Sequence, residues 1–216
     1  WSKNRPAFYG AAADHGRVVA YHVGWRDEGT PRPECGTSPG IVSLIEADAA
    51  ATPMTLSIVL GWSSGDGTPD LACAPATDDN SWGNPTARSK YKELAIAIAG
   101  DLRPAYLFLG NEVNSWYLRH SADWPAWISE LDDVAEAVRA ASPGTLVGTV
   151  FQLDHMKGAG SLNGWNDPPH FSLLGDVSNA IDILGLTAYP FFDSSSAAAV
   201  PDDYFADALT HYGGPI

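Results

Sequence analysis

Short apolar, β-branched runs alternate along the chain with longer stretches whose apolar positions recur at helical spacing. The runs occupy residues 18–23, 54–60, 106–109, 145–150 and 181–187. Each reads as a strand apolar on both faces, as parallel strands buried under helices are. Between them, Ser38 before Pro39 predicts a cap with proline at the first helical position, and Ile41, Leu44 and Ile45 form that helix's stripe. Tyr91, Leu94, Ala95 and Ile98 recur at i, i+3, i+4, i+7 on a second helix. Asp123 is placed to cap a third, which carries Ile128, Leu131, Ala135 and Val138 and stops at Ser142-Pro-Gly144. Residues 201–211 predict a fourth helix, residues 6–15 close one ahead of the first strand, and residues 168–174 give a shorter helical signal.

Strand and helix in regular alternation mean an α/β protein with a parallel sheet. A closed barrel and an open doubly wound sheet both fit that order. No G-x-G-x-x-G or P-loop string follows a strand, so the nucleotide-binding version of the open sheet lacks its signature. Long loops carrying aromatic and polar residues follow several strands instead, which is the anatomy of the C-terminal face of a (β/α)₈ TIM barrel. Strand ends near Trp25, Trp62, Glu112, Phe151 and Tyr189 recur at roughly 40-residue intervals, so eight units exceed the 216 residues present. The expectation is one catalytic barrel domain over residues 1–216, incomplete in this chain, with strand one before Trp1 and strands seven and eight after Ile216.

Charge narrows the partners. Twelve basic residues against 26 acidic ones leave a formal net charge of −14. Nucleic-acid binding needs Lys and Arg to displace counterions, and an anionic membrane surface needs the same sign. No apolar run approaches the length of a membrane span. Eight Trp and eight Tyr supply flat faces with a polar edge, suited to cores and to sugar rings alike. Cys35 and Cys73 sit in Gly/Pro-rich segments with no zinc-type spacing. A bridge between two loops and a pair of free thiols both remain open for them, and a bridge would imply an oxidising compartment.

The candidate chemistry centres on Leu109-Gly-Asn-Glu-Val-Asn114, where a buried strand ends in an amide and a carboxylic acid. A carboxyl at a barrel mouth ringed by Trp116, Trp62 and Tyr189 is expected to be partly desolvated and to hold its proton near neutral pH. That is what a general acid needs in order to protonate a leaving oxygen. Asn111 beside it can hydrogen-bond a sugar hydroxyl, and Trp25, Trp62, Trp116 and Trp165 are candidate sugar platforms. Gln152, Asp154 and His155 follow a strand and are placed to line the cleft. His22, inside a strand, reads as structural. No HExxH pairing suggests a metal, no Gly-x-Ser-x-Gly elbow suggests a serine hydrolase, and no lysine ends a strand. No metal or cofactor is expected.

At this point the chain resembles the clan A (β/α)₈ retaining glycoside hydrolases. In that clan an Asn-Glu pair closes strand four, and Asn111-Glu112 of LFLGNEVN matches it. DILGLTAYPFF resembles strand six of the clan, above all in its endo-galactanase and cellulase-like members. The resemblance covers the chain as barrel strands two to six. It implies cleavage of a β-linked poly- or oligosaccharide, with Glu112 as acid/base and Tyr189 orienting a nucleophile. A retaining enzyme needs a second carboxylate about 5 to 5.5 Å from the first. No Glu here ends a seventh strand, so the nucleophile is expected beyond Ile216. A secreted hydrolase is the implied reading, and a non-catalytic carbohydrate-binding barrel is the alternative.

Overall fold

The computed structural model describes residues 5–25, 39–50, 53–62, 71, 79–159, 164 and 167–216. Both cysteines and Trp165 lie outside these residues. Five strands, β1 (Val18–Gly24), β2 (Thr55–Gly61), β3 (Tyr106–Leu109), β4 (Leu146–Gln152) and β5 (Ile183–Thr187), pair in the order β1-β2-β3-β4-β5, every pair parallel. Helices α1 (Arg5–Ala13), α2 (Pro39–Ala50), α3 (Pro85–Leu102), α4 (Asn114–Arg119), α5 (Trp124–Ala141), α6 (Leu153–Lys157), α7 (Leu173–Val177) and α8 (Ala206–His211) fall before, between and after them.

The order decides the architecture. In a doubly wound sheet the strand order reverses once, putting helices on both faces. Here each right-handed crossover steps one strand the same way, which keeps the helices on a single face. That is the winding of a (β/α)₈ barrel, of which the described residues form a five-stranded arc.

Burial confirms the two faces. Val23, Ile58, Leu60, Leu107, Leu109, Val147 and Leu184 face the helices and are almost fully buried. Their alternates in the aligned registers, Val18, Ala20, His22, Val59, Phe108 and Ile183, are half-buried or exposed. In this five-stranded arc the inner face is less covered than the helix-bearing one, although Ser57, Val150 and Gln152 on it are buried. On it the Phe108 ring lies over two glycines, and a Cβ would approach the ring to 2.7 Å at Gly148 and 2.9 Å at Gly185.

The long helices follow their stripes. Tyr91, Leu94, Ala95 and Ile98 of α3 are buried, as are Leu131, Ala135 and Val138 of α5. Asn84 caps α3, its side chain accepting from the Thr86 and Ala87 amides. Two expectations are corrected. Leu44 of α2 is exposed, and Asp123 stands at the N-cap position of α5 but makes no capping side-chain bond. The Asp123 carboxylate instead accepts from the Trp82 amide at 2.9 Å and the Trp116 indole at 3.0 Å. The fourth predicted helix is shorter than its pattern, with α8 beginning only at Ala206. Helices α4 and α6 carry too few turns for a stripe to announce them.

Candidate active site

The site is built where β3 turns out of the sheet. Gly110 has φ +83°, and a Cβ there would lie 2.4 Å from Trp62 Nε1 and 2.5 Å from Val113 Cγ1, so only glycine fits this exit. Two residues later Glu112 itself stands at φ +52°. An L-residue in this region costs about 1–2 kcal/mol, and such strain concentrates at functional positions. The turn is held from both sides. The Gly110 amide donates to the Leu60 carbonyl at 2.9 Å, and the Val113 amide to the Val150 carbonyl at 3.0 Å. Asn114, fully buried, closes a ring with the end of β4: its Nδ2 donates to Gln152 O and its Oδ1 accepts from Gln152 N, both at 2.9 Å.

The half-buried Glu112 carboxyl meets the end of β5. Its Oε1 accepts the Thr187 hydroxyl and the Tyr189 phenol, each at 2.8 Å. Oε2 takes no hydrogen bond among the described residues. The bond to Glu112, aided by burial, raises the Tyr189 phenol above its ordinary value, because ionising it would put two negative oxygens side by side. Two imidazoles stand within the field of Glu112. Burial lowers both His22 and His155 below the ordinary histidine value of about 6.5, and the Glu112 charge acts against that shift. Both rings are therefore neutral at pH 7, able to donate at one nitrogen and accept at the other. His22 lies on the inner face, its Nε2 leaning over Gly61.

Other predicted site residues separate into two groups. Asn111 is half-buried beside Glu112, Gln152 is buried at the inner position paired with Thr187, and His155 follows on α6. Trp25, Trp62 and Trp116 do not serve as platforms. They are 0%, 3% and 4% exposed, and their faces are occupied by other rings. Trp25 stacks on Trp82 at 5.9 Å, while Trp62 meets Trp82, Trp116 and Trp127 at 5.0–5.3 Å. Trp62, with Trp127, backs the Gly110 turn, while Trp25 packs on Trp82 and Tyr91 and Trp116 packs on Trp62. Phe191, 64% exposed, has its ring 5.9 Å from that of Tyr189, whose phenol binds the Glu112 carboxyl.

Sequence reasoning passed over Thr187, His22, Asn114 and Phe191 as functional positions. The two-residue strand period carried a signal for the first, since Thr187 and Tyr189 share a parity along the end of β5. For Asn114 no local signal exists, because its partner is 38 residues away. Among the described residues no group of three His, Cys, Asp or Glu is placed to hold a metal ion, and no helix is long and apolar enough to cross a membrane.

Fold and site together define an arc of a (β/α)₈ barrel presenting a strained, hydroxyl-braced carboxyl at the C-terminal ends of its strands. Solved structures that share this fold include several glycoside hydrolases. Fungal β-1,4-galactanase superposes with a TM-score of 0.65 at 18% identity, over 97% of this chain and 63% of the galactanase. An exo-β-1,4-mannosidase from Opitutaceae bacterium strain TAV5 gives 0.59 at 16% identity, over 99% of this chain and 48% of that one. A GH113 β-mannanase from Alicyclobacillus acidocaldarius gives 0.57 at 14% identity, over 99% and 63%. The chain thus spans between 48% and 63% of the length of these neighbours. The resemblance drawn from the β3 and β5 motifs is met at the level of fold. No protein-family model matches the chain, and no curated protein matches it in sequence.

Proposed function

We propose that this chain is the greater part of the barrel of an extracytoplasmic retaining glycoside hydrolase that cleaves a β-linked poly- or oligosaccharide, with Glu112 as its acid/base. The observation that carries this reading is the Glu112 carboxyl, strained in its backbone at a strand end, with one oxygen braced by two hydroxyls and the other without a hydrogen bond among the described residues. With the lone pairs of Oε1 engaged by Thr187 and Tyr189, the transferable proton resides on Oε2. In the first step Oε2 protonates the glycosidic oxygen as the C1–O bond breaks and a partner carboxylate bonds to C1. That partner, about 5 to 5.5 Å away, is assigned to a further strand of the barrel. In the second step Glu112 takes a proton from water, the water oxygen bonds to C1, and the partner carboxylate leaves. Asn111 holds the 2-hydroxyl of the reacting sugar. Tyr189 steadies Glu112 and, on the clan pattern, faces the partner carboxylate as well.

The test is incubation of the full-length protein with β-1,4-linked manno-, galacto- and gluco-oligosaccharides, following the first-formed anomer by proton NMR. Release of the β-anomer is the expected result. An α-product, or tight binding without turnover, overturns the double displacement, and the second outcome selects the carbohydrate-binding barrel. Phe191 supplies a further prediction. An aromatic face on a sugar ring contributes on the order of 1 kcal/mol, so Phe191→Ala raises KM for an oligosaccharide about fivefold, with kcat on a short aryl glycoside unchanged. Calorimetric titration with the same oligosaccharide checks the binding part.

A further inference from the structure

One buried carboxyl is used by none of these steps. Asp154, on α6 just after β4, is 0% exposed. Its Oδ2 accepts the backbone N–H of Tyr189 at 2.7 Å, and its Oδ1 accepts the hydroxyl of Tyr204. Tyr204 is in turn held by Lys157, whose Nζ donates to the Tyr204 carbonyl at 2.9 Å and lies 4.2 Å from the centre of its ring. The same ammonium pairs with Asp207 of α8 at 2.9 Å. Three stretches distant in sequence therefore converge on one carboxylate: α6, the exit of β5, and residues 204–207. Burial and this hydrogen bond together push the Tyr204 phenol well above its ordinary range, which keeps it a donor at every physiological pH.

A buried carboxylate is tolerated where donors converge on it, but tolerance alone does not explain its placement. Asp154 grips the main chain of the residue whose side chain grips Glu112. Tyr189 has its amide on Asp154 and its phenol on Glu112 Oε1, so a shift at the first bond is carried to the second by one rigid aromatic ring. We infer that Asp154, anchored by Tyr204, is a positioning residue that sets the backbone at Tyr189 and thereby holds the Glu112 carboxyl in its working orientation. The inference rests on the reading of Glu112 as acid/base.

Asp154→Asn is the sharpest test. An amide has one oxygen and one NH₂, so it cannot accept from Tyr189 N–H and Tyr204 O–H on separate oxygens. In the full-length protein kcat is expected to fall about tenfold or more with KM within about twofold, as loss of an alignment predicts. A second readout needs no turnover. With ¹³Cζ-labelled tyrosine, the Tyr189 resonance (assigned by its loss in Tyr189→Phe) is expected to titrate above the ordinary phenol range in the wild type. In Asp154→Asn it is expected to move back toward that range, because its partner on Glu112 is lost. Tyr204→Phe, which removes one donor and keeps the ring, moves both readouts the same way by a smaller amount, and it carries the test alone if Asp154→Asn does not fold. A folded Asp154→Asn, or failing that a folded Tyr204→Phe, with unchanged kcat and an unmoved Tyr189 titration overturns the inference. The two failures are separable: if Glu112→Gln hydrolyses as well as the wild type, the acid/base reading is lost, whereas the NMR titration reports the Asp154 linkage on its own.

Discussion

Glu112→Gln in the full-length protein is expected to lower kcat on a natural glycoside by roughly 10²–10⁴-fold, the usual range for removing a general acid/base. Glutamine is nearly isosteric, and its carbonyl oxygen can still accept from Thr187 and Tyr189, the two donors that brace Oε1. The fold and the turn should therefore survive, with a melting temperature close to that of the wild type. What is lost is the proton on Oε2. A nitrophenyl leaving group departs without being protonated, so the first-step rate on an aryl glycoside should fall far less than on an oligosaccharide. Stopped-flow measurement of phenol release separates the steps. Undiminished hydrolysis of the oligosaccharide by a folded variant removes Glu112 from the mechanism.

Gly110→Ala is expected to destabilise the protein by about 3 kcal/mol, combining the left-handed backbone of an L-residue with overpacking. The added methyl would sit 2.4 Å from the Trp62 indole nitrogen and 2.5 Å from Val113, and neither neighbour is free to move. Trp62 is wedged among Trp82, Trp116 and Trp127, and Val113 is fully buried. Activity should fall with stability, since any relief moves the turn that carries Glu112. Gly100→Ala is the control. That residue lies inside α3, and a Cβ there meets nothing within 4 Å. Alanine at a helical site stabilises by about 0.5–1 kcal/mol relative to glycine, so the control should hold or raise the melting temperature. Thermal melts of both variants decide the matter. A Gly110→Ala protein as stable as the wild type would mean that the exit from β3 is not locked by its tryptophan backing.

The comparison of glycines shows why parts of this molecule can be read from sequence and others cannot. A helix stripe or a strand run is a local property. Tyr91, Leu94, Ala95 and Ile98 turn to one side whatever the rest of the chain does, and they are buried as their spacing predicts. The Asn-Glu at a strand end is equally local, and its place at the C-terminal end of β3 follows from the run before it. Tryptophans are different. Nothing near Trp25, Trp62 or Trp116 in sequence says whether a sugar or another indole covers its face. That is decided by Trp82 and Trp127, which arrive on α3's leading loop and on α5.

Alternation, capping residues and a carboxylate closing an apolar strand are written into the order of side chains, because backbone geometry repeats every two or 3.6 residues. These alone determined an α/β barrel arc with Glu112 at its rim. Which hydroxyls reach Oε1 and which acid grips the Tyr189 amide were decided only when the strands took their register. Thr187 lies 75 residues from Glu112, and Asp154 lies 35 from Tyr189. Contacts over such separations depend on closing long loops against a packed core, and no short-range pattern encodes where those loops close.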